Sequence, residues 1–249
     1  MKIAIVSSRF PSVTQTFVLR EITSLIDLGH EVDIYAFGRD TGPVHEPVKR
    51  YGLLKRTRYL KPVGGRRKCL PRLISDLTVA ALRCPFATAA ACRLRGFPDH
   101  RCGAAIWCAA PLIARGHYDV IHAHFGGAAE RVAAITPLLK PGVFTAHLHA
   151  QDIVRRSASG PRHYPRLMRQ GSLIVSESEF MIRELRAQGF CPNRLRVHRL
   201  PVELPDTKAE VEISNSATID LLSVGRLVEK KGFPTLLDAA AGLRDQGLR

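Results

Sequence analysis

Residues 2–37 read KIAIVSSRFPSVTQTFVLREITSLIDLGHEVDIYAF, and three patterns follow one another in them. KIAIVS is a short β-branched run of the kind that forms a buried strand. In TQTFVLREITSLIDLGH, Phe17, Leu19, Ile22, Leu25, Ile26 and Leu28 recur at helical spacing, with Thr14 as the expected N-cap and Gly29 as the expected C-cap. EVDIYAF then alternates like a strand. Strand, helix and strand at this spacing predict two parallel strands joined by a right-handed crossover.

The same rhythm returns further along. DVIHAHF, GVFTAHLH, SLIVS and LRVHRL read as strands; AAERVAAITPLL, a stretch near 161–170, and SEFMIRELRAQG read as the helices between them. The segment between the two halves suggests a strand near Thr57 to Leu60 and helices over about 69–83, 86–95 and 101–115. Repeated β-α units of this length predict an α/β fold, a Rossmann-like doubly wound parallel sheet, over residues 1–200. Residues 201–216 carry prolines, acids and small polar residues and read as a linker. IDLLSVGRL and PTLLDAAAGLRDQ, within 217–249, then read as the first strand and helix of a second Rossmann-like domain. One strand and one helix cannot enclose a core, so this last piece is expected to be the incomplete start of that domain.

Composition narrows the class. Of 249 residues, 45% are apolar and 24% charged, which excludes a disordered or fibrous chain. The cysteines, Cys69, Cys84, Cys92, Cys102, Cys108 and Cys191, form no C-x-x-C pair and lie mostly in apolar surroundings. That pattern predicts reduced, buried thiols in a cytosolic protein. MKIAIVSSRF is too short in its apolar part for a secretory signal, and CGAAIWCAAPLIA falls short of the roughly 20 residues that span a bilayer. The net charge of +15 is concentrated: from Lys49 to Arg101 there are fourteen Lys or Arg against Asp76 and Asp99. A basic stretch of this density attracts a phosphate-rich partner, nucleic acid or an anionic membrane face, when it is not simply a solvated surface. Nucleic acid is the weaker reading, because Tyr51, Tyr59, Phe86 and Phe97 are scattered rather than interleaved with the cations for base stacking.

Ligands of open parallel sheets bind at the carboxyl ends of strands, where the strand order reverses. Ser7, Ser8 and Arg9 stand at one such end, His122 and His124 at another, and His147, His149 and Asp152 at the next. Alternate residues of a strand face one side, so each H-x-H pair could offer two imidazoles to one ion, and a metal-dependent hydrolase using His122, His124, His147 and His149 is one reading. No further carboxylate or cysteine comes at ligand-like spacing, which favours a site without metal; each histidine alone could equally be a hydrogen-bonded structural residue. Near the end, SVGRLVEKKGF sets Gly225, Arg226 and Lys231 ahead of a helix expected to open at Gly232. Two fixed cations before a helix N-terminus suit a diphosphate, although a basic turn before an ordinary helix would look similar.

Taken together, RFPSVTQTFVLREITSLIDLGHEVDIYA, DVIHAHFG, FTAHLHAQDI, LIVSESEFMIRELRAQGF, RLRVHRLPVEL and LLSVGRLVEKKGF resemble the family 4 glycosyltransferases, retaining enzymes of the GT-B fold, in the branch that builds exopolysaccharide and cell-surface glycans. The resemblance implies a nucleotide-diphosphate sugar donor, no metal cofactor, and a histidine beside the donor sugar with an aspartate three positions on. His149 and Asp152 meet that spacing, and His147, two positions after Thr145, is the reserve. It also implies that Gly225, Arg226 and Lys231 bind the donor diphosphate and offset its growing charge. Arg9, Phe10, Thr14, Thr16 and His124 would line the acceptor side of the cleft.

Two departures stand out. Pro201, Val202 and Glu203 occupy the place where the family has Gly, Val and Asp, and the paired glutamates that grip the sugar nucleotide would fall beyond residue 249. The resemblance therefore implies an acceptor-side domain plus the first unit of a donor domain, inefficient alone. A scaffold, or one subunit of a split enzyme that needs a separate donor-domain chain, is the alternative. If the acceptor is a glycan on a polyprenyl lipid, Lys55, Arg56, Arg58, Arg66, Arg67 and Lys68 would dock this cytoplasmic protein on the anionic inner face of the membrane.

Overall fold

The central strand is made from the run that opens the chain. β1 (Lys2–Ser7) is buried from Ile3 onward, as a parallel strand covered on both faces must be. α1 (Thr16–Asp27) follows and buries Val18, Leu19 and Ile22 against one face of the sheet. It ends where Gly29, at φ +80°, donates to Ile26 O at 2.9 Å and His30 donates to Leu25 O at 3.1 Å, so the last carbonyls are satisfied by a left-handed glycine turn. Thr14 does not cap its start: Gln15 holds the N-cap position without a side-chain capping bond, because the chain bends one residue later than the spacing suggested.

In this computed structural model residues 1–61, 66–94, 97, 104–153, 164–200 and 221–247 are described. After α1 come β2 (Glu31–Ala36), two short helices, α2 (Glu46–Arg50) and α3 (Leu53–Arg56), and β3 (Thr57–Tyr59). The basic stretch then folds as α4 (Arg66–Arg83) and α5 (Pro85–Arg93), followed by α6 (Ala104–Arg115). The second half runs β4 (Val120–His124), α7 (Gly126–Leu139), β5 (Val143–His147), α8 (Ala150–Ile153), α9 (Pro165–Gln170), β6 (Leu173–Ser176), α10 (Glu179–Ala187) and β7 (Leu195–Val197).

All seven strands are parallel, in the order β3-β2-β1-β4-β5-β6-β7. The chain steps one way from β1 to β2 and the other way from β4 to β5. Right-handed crossovers in opposite directions place helices on opposite faces. One face carries α1 over Ile3, Ile5, Val32 and Ile34. The other carries α6, α7 and α10 over Ala4, Val6, Ile121, Ala123, Phe144 and Ala146. The fold is the doubly wound α/β class that the β-α rhythm predicts. The strand order reverses between β1 and β4, the point at which sheets of this class form a ligand crevice at the carboxyl ends of the strands.

Two units divide the chain, Met1–Pro201 and Val202–Arg249. The linker expected over 201–216 lies outside the described residues. In the second unit the strand expected over IDLLSVGRL does not form in its described part: residues 221–226 have no regular structure and are exposed. A strand needs a neighbour for its N–H and C=O groups, and among the described residues this unit provides none. A 3-10 turn, Glu229–Lys231, leads through Gly232, at φ +66°, into α11 (Phe233–Asp245).

The cysteines depart from expectation. Cys108 is buried, but Cys84, Cys92 and Cys191 are exposed and Cys69 is half-buried; none of the five is in a disulfide, and Cys102 lies outside the described residues. Their apolar neighbours in sequence belong to helices that show one face to solvent, so proximity along the chain did not mean burial. No helix among the described residues is long and apolar enough to cross a membrane.

Candidate functional site

β4 and β5 lie in register, with His122 opposite Thr145 and His124 opposite His147. The pleat turns Ile121, Ala123, Phe144 and Ala146 into the larger core, which leaves the alternate positions for the α1 side. The two H-x-H motifs therefore converge: His122 and His124 from β4, His147 from the end of β5, and His149 from the turn after it. His124, His147 and His149 are buried and His122 nearly so. The ring of His147 stacks on those of His149 at 4.4 Å and His124 at 5.8 Å. His122 meets His124 edge-on at 4.8 Å, and His198, past β7, approaches His147 at 5.8 Å.

Two carboxylates that the strand-end reading did not include enter this cluster. Glu21 on α1 places its oxygens 3.5 Å from His122 Nε2 and 3.1 Å from His124 Nε2. Glu177, immediately after β6, is hydrogen-bonded through Oε1 to His149 Nδ1 and stands 3.8 Å from His147 Nε2. Glu177 was within reach of the strand-end rule, since it directly follows LIVS. Glu21 was not, because α1 reads as a core helix and only the sheet shows which of its residues overhang the crevice. The expectation that no further carboxylate joins the histidines is thus corrected: sequence separation hid both.

His149 is clamped on three sides. Glu177 holds its Nδ1, while the rings of Phe17, from the first turn of α1, and Phe125 each lie 4.6 Å from its centroid and 6.1 Å from one another. Phe125 sits at φ 70°, ψ 136°, a costly conformation for a residue with a Cβ, at the turn from β4 into α7, and its N–H donates to His147 O. The next residue must be glycine, since a Cβ at Gly126 would fall on the Tyr164 ring, 2.6 Å from its hydroxyl oxygen. Tyr164 precedes α9, whose first N–H groups, on Arg166 and Leu167, are accepted by the Glu130 carboxylate of α7.

Asp152 has a different task from the one its spacing suggests. Its Oδ2 accepts from the backbone N–H of His149 at 3.1 Å, and its own N–H donates to His149 O at 2.7 Å. The carboxylate fixes the turn that presents His149, and Glu177 orients the ring. The tight turn into α8 points the aspartate back at the chain rather than at the imidazole.

Burial and charge set the protonation states. Burial pushes the His122 imidazole down to about 4, against the pull of Glu21, and His147 down to about 3. Burial works against the charge on Glu21, yet His122 and His124 outweigh it and hold this carboxyl at about 2. Glu177 is likewise lowered: burial opposes ionisation and its hydrogen bond to His149 outweighs it. At neutral pH the site holds two carboxylates, with His122 and His147 neutral.

The other residues singled out by sequence are placed as follows. Arg9 is exposed and ion-paired with Asp40 at 2.8 Å. Phe10 is no cleft residue: it is buried with Val18, Ile34 and Leu53 in the core beneath α1, because an aromatic just past a central strand finds more apolar contact inward. Thr14 and Thr16 are exposed at the start of α1. Lys55 and Arg56 are exposed, whereas Arg58 pairs with Asp76 at 3.1 Å and is drawn onto α4, which removes it from the free basic surface. The side chains of Arg66, Arg67 and Lys68 lie outside the described residues. In the second unit, Gly225, Arg226 and Lys231 are exposed, and a Cβ at Gly225 would come 3.5 Å from the Phe233 ring.

Comparison with known proteins agrees with this architecture. Along its whole length the chain is 29% identical to WcaL of Salmonella typhimurium, a protein named for colanic acid biosynthesis as a glycosyltransferase. Over 99% of its length it is 29% identical to the amylovoran biosynthesis glycosyltransferase AmsK of Erwinia amylovora. It spans 62% of the length of each. The fold is similar to that of Anabaena Alr3699/HepE, solved in complex with UDP and glucose, with a TM-score of 0.50 at 15% identity over 82% of this chain and 45% of that one. The model of Glycosyltransferase Family 4 matches residues 14–204, most of the sheet and both H-x-H motifs included, and the chain belongs to that family.

Proposed function

We propose that this chain is the acceptor-side part, with the beginning of the donor-side part, of a glycosyltransferase that moves a sugar from a nucleotide-diphosphate donor onto a glycan or lipid-linked acceptor in exopolysaccharide synthesis. The observation that carries the reading is the clamped His149. Glu177 holds one ring nitrogen, Phe17 and Phe125 fix the ring plane, and Nε2 finds no hydrogen-bond partner among the described residues. An imidazole so fixed can hydrogen-bond a sugar hydroxyl without reorganising. The names of WcaL and AmsK, and the UDP and glucose in the HepE structure, support a sugar nucleotide as donor.

Residues 1–200 serve as the acceptor-side domain, 201–216 as the linker, and 217–249 as the start of the donor domain. As the bond from the sugar's anomeric carbon to the diphosphate oxygen breaks, the electron pair leaves with the diphosphate, and the acceptor hydroxyl oxygen bonds to that carbon from the same face while its proton passes to the departing diphosphate. Arg226, Lys231 and the backbone at Gly225 offset that charge, with no metal on the diphosphate, and transfer retains the anomeric configuration. The membrane is the second partner: Lys55 and Arg56 are exposed, and so are Leu70, Ile74 and Leu82 on α4, an amphipathic surface suited to an anionic cytoplasmic leaflet.

Saturation-transfer NMR with a panel of nucleotide-diphosphate sugars tests the donor reading. Weak, millimolar contact is expected, reduced by R226A and K231A together, with no efficient turnover by this chain alone. No contact with any member of the panel overturns the donor reading, and efficient turnover overturns the division of labour. Flotation with phosphatidylglycerol vesicles tests the membrane reading, which fails if neutral vesicles capture the chain equally well.

A further inference from the structure

We propose that His122, His124 and His147 bind one divalent transition-metal ion of the zinc class, closed from α1 by Glu21. Each of the three offers a ligating atom, and these atoms lie within 4.8 Å of one another. The arrangement is built by the sheet: His122 and His124 share a face of β4, and the register sets His147 beside His124 on β5.

Three observations point to a ligand rather than to packing. First, His122 Nε2, both ring nitrogens of His124, and His147 Nε2 are buried with no hydrogen-bond partner among the described residues. Each such group left unpaired is costly, so several in one place call for something that satisfies them together. Second, Glu21 brings one carboxylate oxygen 3.1 Å from His124 Nε2 and the other 3.5 Å from His122 Nε2. Ligands held at about 2.0–2.1 Å from a tetrahedral ion stand roughly 3.4 Å apart, close to these two Glu21 separations, and the three histidine atoms, within 4.8 Å of one another, would draw in around the ion. Third, the remaining nitrogen of His122, Nδ1, is 2.6 Å from Thr145 Oγ1, the kind of outer contact that turns the other nitrogen toward a metal.

Imidazole nitrogens with one carboxylate suit zinc, cobalt, nickel or copper, and not calcium or magnesium, which take oxygen. A second triad, His147, His149 and Glu177, shares His147 and cannot be filled at the same time. The first is preferred because Glu177 already engages His149 Nδ1. Glu21 and His122 are the least buried members of the preferred set, which leaves the ion a way in from solvent. The inference does not depend on the proposed sugar transfer.

The test uses the full 249-residue chain, stripped with chelator, dialysed, and titrated with Zn²⁺ or Co²⁺ alone. One equivalent retained through gel filtration is expected, with visible absorption from tetrahedral cobalt bound by nitrogen and oxygen. At a hundredfold excess over Kd, Tm should rise by about 5–10 °C. H122Q and E21Q should each weaken binding at least tenfold, and T145V severalfold. If H122Q does not fold, E21Q decides. A folded chain that retains no ion at micromolar free metal overturns the proposal. So does binding unchanged in H122Q or E21Q, or a cobalt spectrum dominated by thiolate charge transfer, which would place the ion on the exposed cysteines.

Discussion

His149 and Glu177 meet across the ends of β5 and β6, imidazole Nδ1 against carboxylate Oε1, although 28 residues separate them. The contact exists because β5 and β6 are neighbours in the sheet, paired through His147 and Val175.

Removing the carboxylate by E177A leaves a buried imidazole nitrogen without its partner. The expected loss is about 1–3 kcal/mol of stability, read from the urea midpoint at constant m-value. E177Q can still accept a hydrogen bond and should lose less. D152A acts on the turn instead, and should shift the backbone amide resonance of His149 while leaving its side-chain tautomer unchanged.

Acid should unfold the metal-free protein early. His122 and His147 have folded values of about 4 and about 3, below their unfolded value of 6.5, so the unfolded chain takes up their protons first. The stability they contribute is fully present above pH 6.5 and is lost as pH falls through that value toward 4 and 3. Glu21, lowered from 4.5 to about 2, adds a loss of the same sign at lower pH. For His122 the effect is on the order of 3 kcal/mol. Denaturation midpoints between pH 8 and pH 4 in chelator check it, and H122Q should flatten the curve.

G126A should destabilise by about 1–3 kcal/mol, because the new methyl group meets the Tyr164 ring and either α7 or α9 must shift. Adding Y164A should restore part of the loss, a coupling that a double-mutant cycle detects.

At the other end of the sheet, the Tyr118 hydroxyl donates to Asp33 Oδ2 at 2.8 Å and lies 2.7 Å from the Tyr35 hydroxyl. Y118F removes the shared group and should cost about 1–3 kcal/mol. Y35F leaves the Tyr118 to Asp33 bond in place and should cost less. Chemical denaturation of the two variants separates them.

Element types in the first unit were legible because their periods are local. Apolar residues recur every second position in EVDIYAF and every third or fourth in TFVLREITSLID, and the structure forms β2 and α1 there. The strand-end rule found all four histidines. Other assignments failed on contacts that sequence does not display: Asp152 turned back to the His149 backbone, Phe10, placed in the cleft by resemblance, turned inward, and Arg58, counted in the basic patch, was claimed by Asp76. LLSVGRL carries a strand pattern and forms no strand in its described part, since a ladder needs a second chain segment beside it.

The amino-acid order by itself determined the alternation of strands and helices, the positions of the H-x-H pairs and the concentration of positive charge, all consequences of side-chain period and composition. Only the tertiary structure decided that β4 and β5 bring the two pairs together and that Glu21 and Glu177 face them. Those contacts follow from strand order and register, which bring residues 28 and more than 100 positions apart within reach of one another.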